Sequence, residues 1–310
     1  MSTTLQSIDI CICTFRRPEL DATLRSLAAM ELPEGYRIGI IVADNDETQS
    51  AAELVAGHAA SLELPIRYVH CPARNISIAR NACLDASRAD CVAFIDDDEK
   101  ATSRWLSRLV DMATISGADV VLGPVRARYS TTAPGWMRMG DFHSTYPVFV
   151  GGEIRSGYTC NVLLRMAAPG IAGRRFNLAR GRTGGEDTEF FDQVHSAGGR
   201  FAYAADAWVE EPVPPGRATF GWLARRRYRV GQTHGTLVGS KRSLPGMVPA
   251  IGLAVAKASY CFAAAGFAAL HPVRRNRSVL RGVMHIGVAS GLLGLRELRL
   301  YGAQEVGNAA

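Results

Sequence analysis

The feature that most limits the fold is an alternation. Over residues 8–129, short apolar runs of strand length take turns with segments whose apolar residues recur at helical spacing. IDICICTF (8–15), RIGIIVADN (37–45), IRYVHC (66–71), CVAFIDDD (91–98) and ADVVLGPVRARY (118–129) read as strands. ELDATLRSLAAM (19–30), SAAELVAGHAASL (50–62), ISIARNACLDASRA (76–89) and SRWLSRLVDMATIS (103–116) read as helices; Leu20, Leu24 and Leu27 mark the stripe of the first. Such an order predicts an α/β fold, a mostly parallel Rossmann-like sheet flanked by helices. Ligands of these sheets bind beyond the carboxyl ends of the strands. TFRR (14–17), ADND (43–46) and DDDE (96–99) all fall on that edge.

Residues 130–185 lose the alternation and are rich in Gly, Pro and aromatic residues. GGEDTEFFDQVHSAG (184–198) reads as a loop entering a helix, RFAYAADAWVEE (200–211) as strand-like, PVPPG (212–216) as a break, and TFGWLARRRYRVGQTHG (219–235) as a basic amphipathic helix. Residues 1–240 form the expected α/β domain. Residues 241–310 form a separate C-terminal helical segment with two apolar runs, 247–270 and 279–295, around Arg274, Arg275, Arg277 and Arg281. The uninterrupted run after Lys257 is shorter than the ~20 residues a bilayer crossing needs. A hairpin packed on the protein's own core is one reading. A pair of helices in a membrane interface, with arginines near anionic headgroups, is the favoured one.

Net charge of +6 suits an acidic membrane surface, a phosphorylated substrate or nucleic acid. The basic residues lie beside apolar helices rather than in a nucleic-acid-binding module, which sets nucleic acid aside. The seven cysteines form no CxxC pair and mostly sit in apolar runs, so they read as core residues of a reducing compartment. MSTTLQSIDICI at the start has no basic region followed by a long apolar run, so no secretory signal is expected.

Asp96, Asp97 and Asp98 end a buried strand on the ligand edge. Three adjacent carboxylates repel, and hard oxygen ligands of this type suit Mg²⁺ or Mn²⁺. The plainer alternative is a solvated turn capping the next helix. The company of the triplet favours the metal. Thr14, Arg16 and Pro18 follow the first strand, Asp44 the second, and Arg80 and Asn81 lie in the helix before the triplet. Glu186 and Asp187 sit at a loop-to-helix junction beyond it.

This ordered set resembles the inverting family 2 glycosyltransferases with the GT-A fold, over about residues 8–235. CTFRRPEL, NISIARNACLD, GDFHST, GGEDTEFF and GQTHG resemble its branch that serves succinoglycan-type exopolysaccharide assembly. The resemblance implies transfer of a sugar, glucose from UDP-glucose in β-1,4 linkage, to a polyprenyl-diphosphate-linked oligosaccharide. It places such an enzyme on the cytoplasmic face of the bacterial inner membrane. It further implies Asp187 as catalytic base and Asp96 and Asp98 as metal ligands. Thr14, Arg16, Asp44, Arg80, Asp96, Glu186 and Arg227 become contacts to the nucleotide sugar, with Asp44 accepting from the uracil. Asp97 is expected to face away or to cap the next helix.

Gly184 and Gly185 are expected to let the backbone approach the sugars. Arg225, Arg226, Arg227 and Arg229, interleaved with Trp222 and Tyr228, suit a diphosphate of the donor or of the carrier. The family's QxxRW pattern is missing there, which argues for one sugar per encounter. Trp136, Phe142, His143 and Tyr158 are either acceptor-stacking or packing residues, and His234 is either a further contact or structural. A phosphoryl transferase is disfavoured because no GxxxxGK[ST] loop is present. A non-catalytic membrane scaffold is opposed by the intact Asp96, Asp98 and Asp187.

Overall fold

A computed structural model describes residues 6–61, 64–240, 243–296 and 298. The elements run β1 (Gln6–Thr14), α1 (Leu20–Ala28), β2 (Tyr36–Asp44), α2 (Ala52–Ser61), β3 (Ile66–His70), α3 (Ile76–Ala86), β4 (Cys91–Ile95), β5 (Lys100–Ala101), α4 (Trp105–Ser116), β6 (Val120–Leu122) and β7 (Val125–Arg128). They continue as α5 (Gly135–Gly140), β8 (Phe149–Val150), β9 (Glu153–Ile154), β10 (Asn161–Arg165), α6 (Glu186–Ser196), β11 (Phe201–Tyr203), β12 (Val209–Pro212), α7 (Phe220–Ser240), α8 (Leu244–Phe267) and α9 (Pro272–Leu292).

The chain packs as two compact units. The first holds the chain to Arg128, Ser144–Arg182 and Glu186–Pro212. Its main sheet has the order β11-β6-β10-β4-β1-β2-β3. β1, β2, β3 and β4 are mutually parallel, β11 is parallel to β6, and β10 runs antiparallel between β4 and β6. A smaller sheet has the order β5-β12-β7, and β8 and β9 pair with each other. Side chains alternate across the main sheet, as a period of two requires. Ile8, Ile10, Ile12, Ile40, Val42 and Ile95 enter one apolar layer with α1 and α4. Cys11, Ile41, Ala43, Val92 and Phe94 enter the other with α3 and α6. Burial on both faces explains why the strands read as unbroken apolar runs.

Two elements differ from the sequence reading. Residues 118–129 are not one strand: β6 joins the main sheet and β7 the smaller one. Gly123 and Pro124 make the break. Pro124 has no N–H to donate, and a Cβ on Gly123 would stand 2.2 Å from the Ala207 carbonyl. β10 lies inside the stretch without alternation, where its five residues are too few to show a period. Asn161 opens it fully buried, accepting from the Trp105 indole at 2.8 Å and donating to the Pro124 and Ala207 carbonyls at 3.0 and 2.7 Å. All seven cysteines are free thiols.

The second unit holds Tyr129–His143, Thr183–Gly185 and the chain from Val213. In it α9 packs along both α7 and α8. Between α7 and α9 the backbones touch. A Cβ on Gly231 or Gly235 would meet the Met284 or Val288 carbonyl within 2.2 Å, and one on Gly287 or Gly291 would meet that of Tyr228 or Gln232 equally closely. These are two GxxxG stripes facing each other, a packing common between helices in membranes. The buried Gln232 side chain donates to Ser290 Oγ at 3.1 Å, and the Tyr228 hydroxyl donates to the same oxygen at 2.9 Å.

Candidate active site

Parallel pairing sets the site. Thr14 is in register with Asp44, and Cys11 with Phe94, so β1, β2 and β4 release their loops at one edge. Asp44 is wholly buried there. Its oxygens accept from the Asp46 N–H (3.0 Å), the Ala51 N–H (2.9 Å) and the Tyr68 hydroxyl (2.7 Å). These bonds tie Asp44, the expected uracil acceptor, to its own loop and to β3. Asp46, which the sequence reading passed over, takes Arg16 in a two-point pair at 2.8 and 2.9 Å. That pairing, more than the burial opposing it, holds the Asp46 carboxyl well below the usual range. Arg16 itself is half exposed and sits at φ 53°.

The triplet follows β4. Asp96 and Glu99 close a tight turn: the Asp96 N–H donates to the Glu99 carboxylate at 2.9 Å and the Glu99 N–H donates to the Asp96 carbonyl at 3.2 Å. Asp97 is buried, facing Thr14 and the Phe15 N–H. It therefore caps no helix: β5 intervenes, and α4 starts after Arg104 without a side-chain cap. Asp98 lies 3.7 Å from Arg17. The Thr23 hydroxyl faces the Asp97 and Glu99 carbonyls at 2.9 and 2.7 Å, pinning the turn to α1. Burial pushes Asp96 up to about 7, with Asp98, Asp97 and Glu211 adding repulsion against the relief from Arg80. Burial and Asp98 likewise push Asp97 up to about 7. Glu99, also buried, is raised by burial and by Asp96 and Glu211.

Arg80 joins this edge to α6. Asn75 caps α3, its side chain accepting from the Ser77 N–H at 3.0 Å, which aims the first turns at the site. Arg80, one turn on, pairs with Glu186 in a contact where both side chains are under a tenth exposed. Burial works against its charge, but Glu186, Asp96 and Asp187 outweigh it and hold Arg80 protonated. Its guanidinium lies 5.5 Å from the Phe176 ring centre. Asp187 is in the first turn of α6, its Oδ1 accepting from the Thr188 N–H at 2.6 Å. Burial and Glu186 raise its proton affinity, against Arg80. The other Glu186 oxygen and the Thr14 hydroxyl are buried without a well-formed hydrogen bond.

A family model for glycosyl transferase family 2 matches residues 9–179. The chain belongs to this family. It is 56% identical over 302 residues to the succinoglycan biosynthesis protein ExoM of Rhizobium meliloti, spanning 97% of this chain and 98% of that one. It is 22% identical over 233 residues to the glycosyltransferase AglE of Haloferax volcanii, covering 75% and 74% of the two chains. Its fold is similar to that of S. aureus TarS. The TarS 1–349 structure with UDP-GlcNAc gives a TM-score of 0.53 at 14% identity over 94% and 93% of the chains. The chain is thus a glycosyltransferase of GT-A type.

The transferase's donor set fits a hard divalent cation. Burial and mutual repulsion both oppose ionised Asp96, Asp97 and Glu99, and a dication relieves both. Asp96, Glu99 and Cys160 bring two oxygens and a sulfur within 4.8 Å of one another. The oxygens suit Mg²⁺ or Mn²⁺ and the thiol is a softer donor. Glu99 and Cys160 were missed in the sequence; Glu99 was legible as the fourth acid of the run, whereas Cys160 carries no local signal.

Other expected residues fall in the second unit of the transferase. Arg227 lies on α7, its affinity for the proton lowered by burial and by Arg226 and Arg281. Gly184 and Gly185 have φ of 84° and 87°, and a Cβ there would strike Arg229 and Thr233. Their lack of a side chain serves packing on α7, where Arg229 donates to the Thr183 carbonyl at 2.7 Å. His143 is buried and stacks on Trp222 at 5.4 Å. Trp136 meets Phe142 edge-on, and His234 is exposed on α7. Tyr158, in the first unit, donates to the Gly123 carbonyl at 2.7 Å.

Proposed function

We propose that this glycosyltransferase is an inverting enzyme that transfers glucose from UDP-glucose, in β-1,4 linkage, to a polyprenyl-diphosphate-linked oligosaccharide of a succinoglycan-like polysaccharide. The observation that carries this reading is the near full-length identity with a succinoglycan biosynthesis protein. The arrangement of the edge supports it. Asp187 is the proposed base, taking the proton of the attacking hydroxyl as that oxygen bonds to the anomeric carbon and the bond to UDP breaks. A positioned base contributes about 10²–10⁴-fold. Asp96 and Asp98 would hold Mg²⁺ or Mn²⁺, which when bound supplies Lewis-acid stabilisation to the departing diphosphate. Arg80, caught between Glu186, Asp187 and Asp96, orients the base. Thr14 and Arg16 border the nucleotide, Asp44 shapes its loop, and Arg227 serves a diphosphate.

The same proposal places the enzyme on the cytoplasmic face of the inner membrane. α8 supports it. Its buried residues are small, Ala254, Ala258, Cys261 and Ala265, while Val248, Leu253, Tyr260 and Phe267 are exposed. A helix with its large apolar residues outward is at home against lipid. The helix is long and apolar enough to cross a membrane, but exposed Lys257 at its middle favours a position along the interface.

UDP release from a panel of UDP-sugars, with Mn²⁺ or EDTA and bacterial lipid extract as acceptor source, tests the reading. Metal- and lipid-dependent turnover of UDP-glucose is the expected result. Turnover of another UDP-sugar would replace the donor. Absence of both turnover and UDP-sugar binding would refute the reading.

A further inference from the structure

From Val213 to Arg296 the chain has no Asp or Glu and thirteen Lys or Arg. The cations are not scattered evenly. On α7, Arg227 and His234 are seven residues apart, two turns along one face. On α9, Arg281 and His285 are four apart, again on one face. The glycine contacts fix the register: residue 231 lies against 284–288, and residue 228 against 287. The two faces therefore meet at the same level. α8 runs the other way along α9, with Phe262 over Gly282, which brings Lys257 to the level of His285.

The fields confirm this convergence. His285 is lowered by burial and then by Lys257, Arg281 and His234, and Arg227 by burial and then by Arg226 and Arg281. Among the described residues no carboxylate pairs with Arg227, Lys257, Arg281 or His285. Arg227, Lys257 and Arg281, like charges held together with no counter-charge among the described residues, call for an anion. Around them Val230, Leu253, Tyr260 and Ile286 are exposed, so the anion's surroundings are apolar.

We propose that Arg227, His234, Lys257, Arg281 and His285 form a site for a multiply charged phosphate group carried on an apolar chain, the chain lying along the exposed side of α8. The density of cations sets the first half: a singly charged phosphodiester leaves most of them unmatched. The outward apolar residues set the second half, and this half rests on the membrane-surface reading above.

The test is co-sedimentation of the full chain, in EDTA, with vesicles of phosphatidylcholine alone, with added phosphatidylglycerol, or with hexadecyl phosphate at the same total charge. The wild type is expected to bind hexadecyl phosphate vesicles more tightly than phosphatidylglycerol ones. Lys257→Ala with Arg281→Ala should cost roughly fivefold per cation on hexadecyl phosphate and erase that preference. Equal binding to both anionic vesicles would overturn the site, leaving a general surface-charge contact. A parallel arm titrates inorganic pyrophosphate and follows the imidazole NMR signals of His234 and His285. Shifts there without any vesicle binding would reject the apolar-chain half and the membrane reading while keeping the phosphate site. Unmoved signals would overturn the site even if the protein still sediments with lipid.

Discussion

Arg80 on α3 and Glu186 at the start of α6 form a buried ion pair across 106 residues of sequence. The pair fixes the helix that carries Asp187 to the helix that precedes the acidic triplet, so one guanidinium feels the proposed base and Asp96 together. Breaking such a pair leaves a buried charge without its partner. Glu186→Ala is expected to lower unfolding free energy by about 3–5 kcal/mol, read by urea denaturation. Replacing both, Arg80→Met with Glu186→Leu, should restore most of the stability but not the transfer rate. Full recovery of transfer in that double variant would show that the pair has no positioning role.

Asp187→Asn keeps the shape of the first turn of α6 and removes the proton acceptor. Transfer should fall by about 10²–10⁴-fold, with UDP-sugar affinity unchanged by calorimetry. A wild-type rate would place the base elsewhere.

Metal binding should depend steeply on pH. Asp96 in the native protein, held up to about 7, is protonated where a free aspartate is ionised. The cation needs the ionised form, so binding below pH 7 displaces a proton, and affinity should weaken roughly tenfold per pH unit below 7. Without metal, the native state binds more protons than the unfolded chain between the ordinary aspartate range and pH 7, so this group makes stability fall as pH rises across that window. Calorimetry in two buffers of different ionisation enthalpy reads the released proton. Mn²⁺ affinity flat from pH 5.5 to 8 would remove Asp96 from the ligand set, and unchanged affinity in Asp98→Ala would remove Asp98.

His143 gives the opposite sign. Its Nδ1 accepts from the Tyr129 hydroxyl at 2.9 Å and its Nε2–H donates to the Arg217 carbonyl at 3.0 Å, so both nitrogens are committed to the neutral ring. Burial, with Arg226 and Arg217 nearby, lowers it to about 4. The unfolded chain takes the proton first, so stability is complete above pH 6.5 and is lost as pH falls toward 4. The loss amounts to about 3 kcal/mol. The difference in thermal stability between wild type and His143→Gln across pH 4–7 should follow this slope, because the opposing contribution of Asp96 is common to both.

Much of the first unit was legible because its strands are buried on both faces and its helices carry one apolar stripe. Those are local patterns, and they placed β1 to β4, α1 to α4 and the ligand edge. β10 was not legible: five apolar residues in an irregular stretch acquire their role by pairing between β4 and β6. The split of β6 from β7 had a visible cause in Gly123 and Pro124, but only the approach of Ala207 gives that break its direction.

The sequence by itself determined the alternating α/β plan, the position of the acidic triplet and GGED at strand and helix ends, and a basic stretch without acids from Val213 to Arg296. These rest on period, turn chemistry and charge, all short-range properties of the chain. Tertiary structure alone decided that Asp44 is enclosed by Ala51 and Tyr68, that Asp46 takes Arg16, that Arg80 pairs with Glu186, and that Cys160 arrives beside Asp96 and Glu99. Each of these joins residues from different elements. Burial at such a junction changes the energy of a charge far more than any neighbour in sequence, and burial is a property of the packed chain.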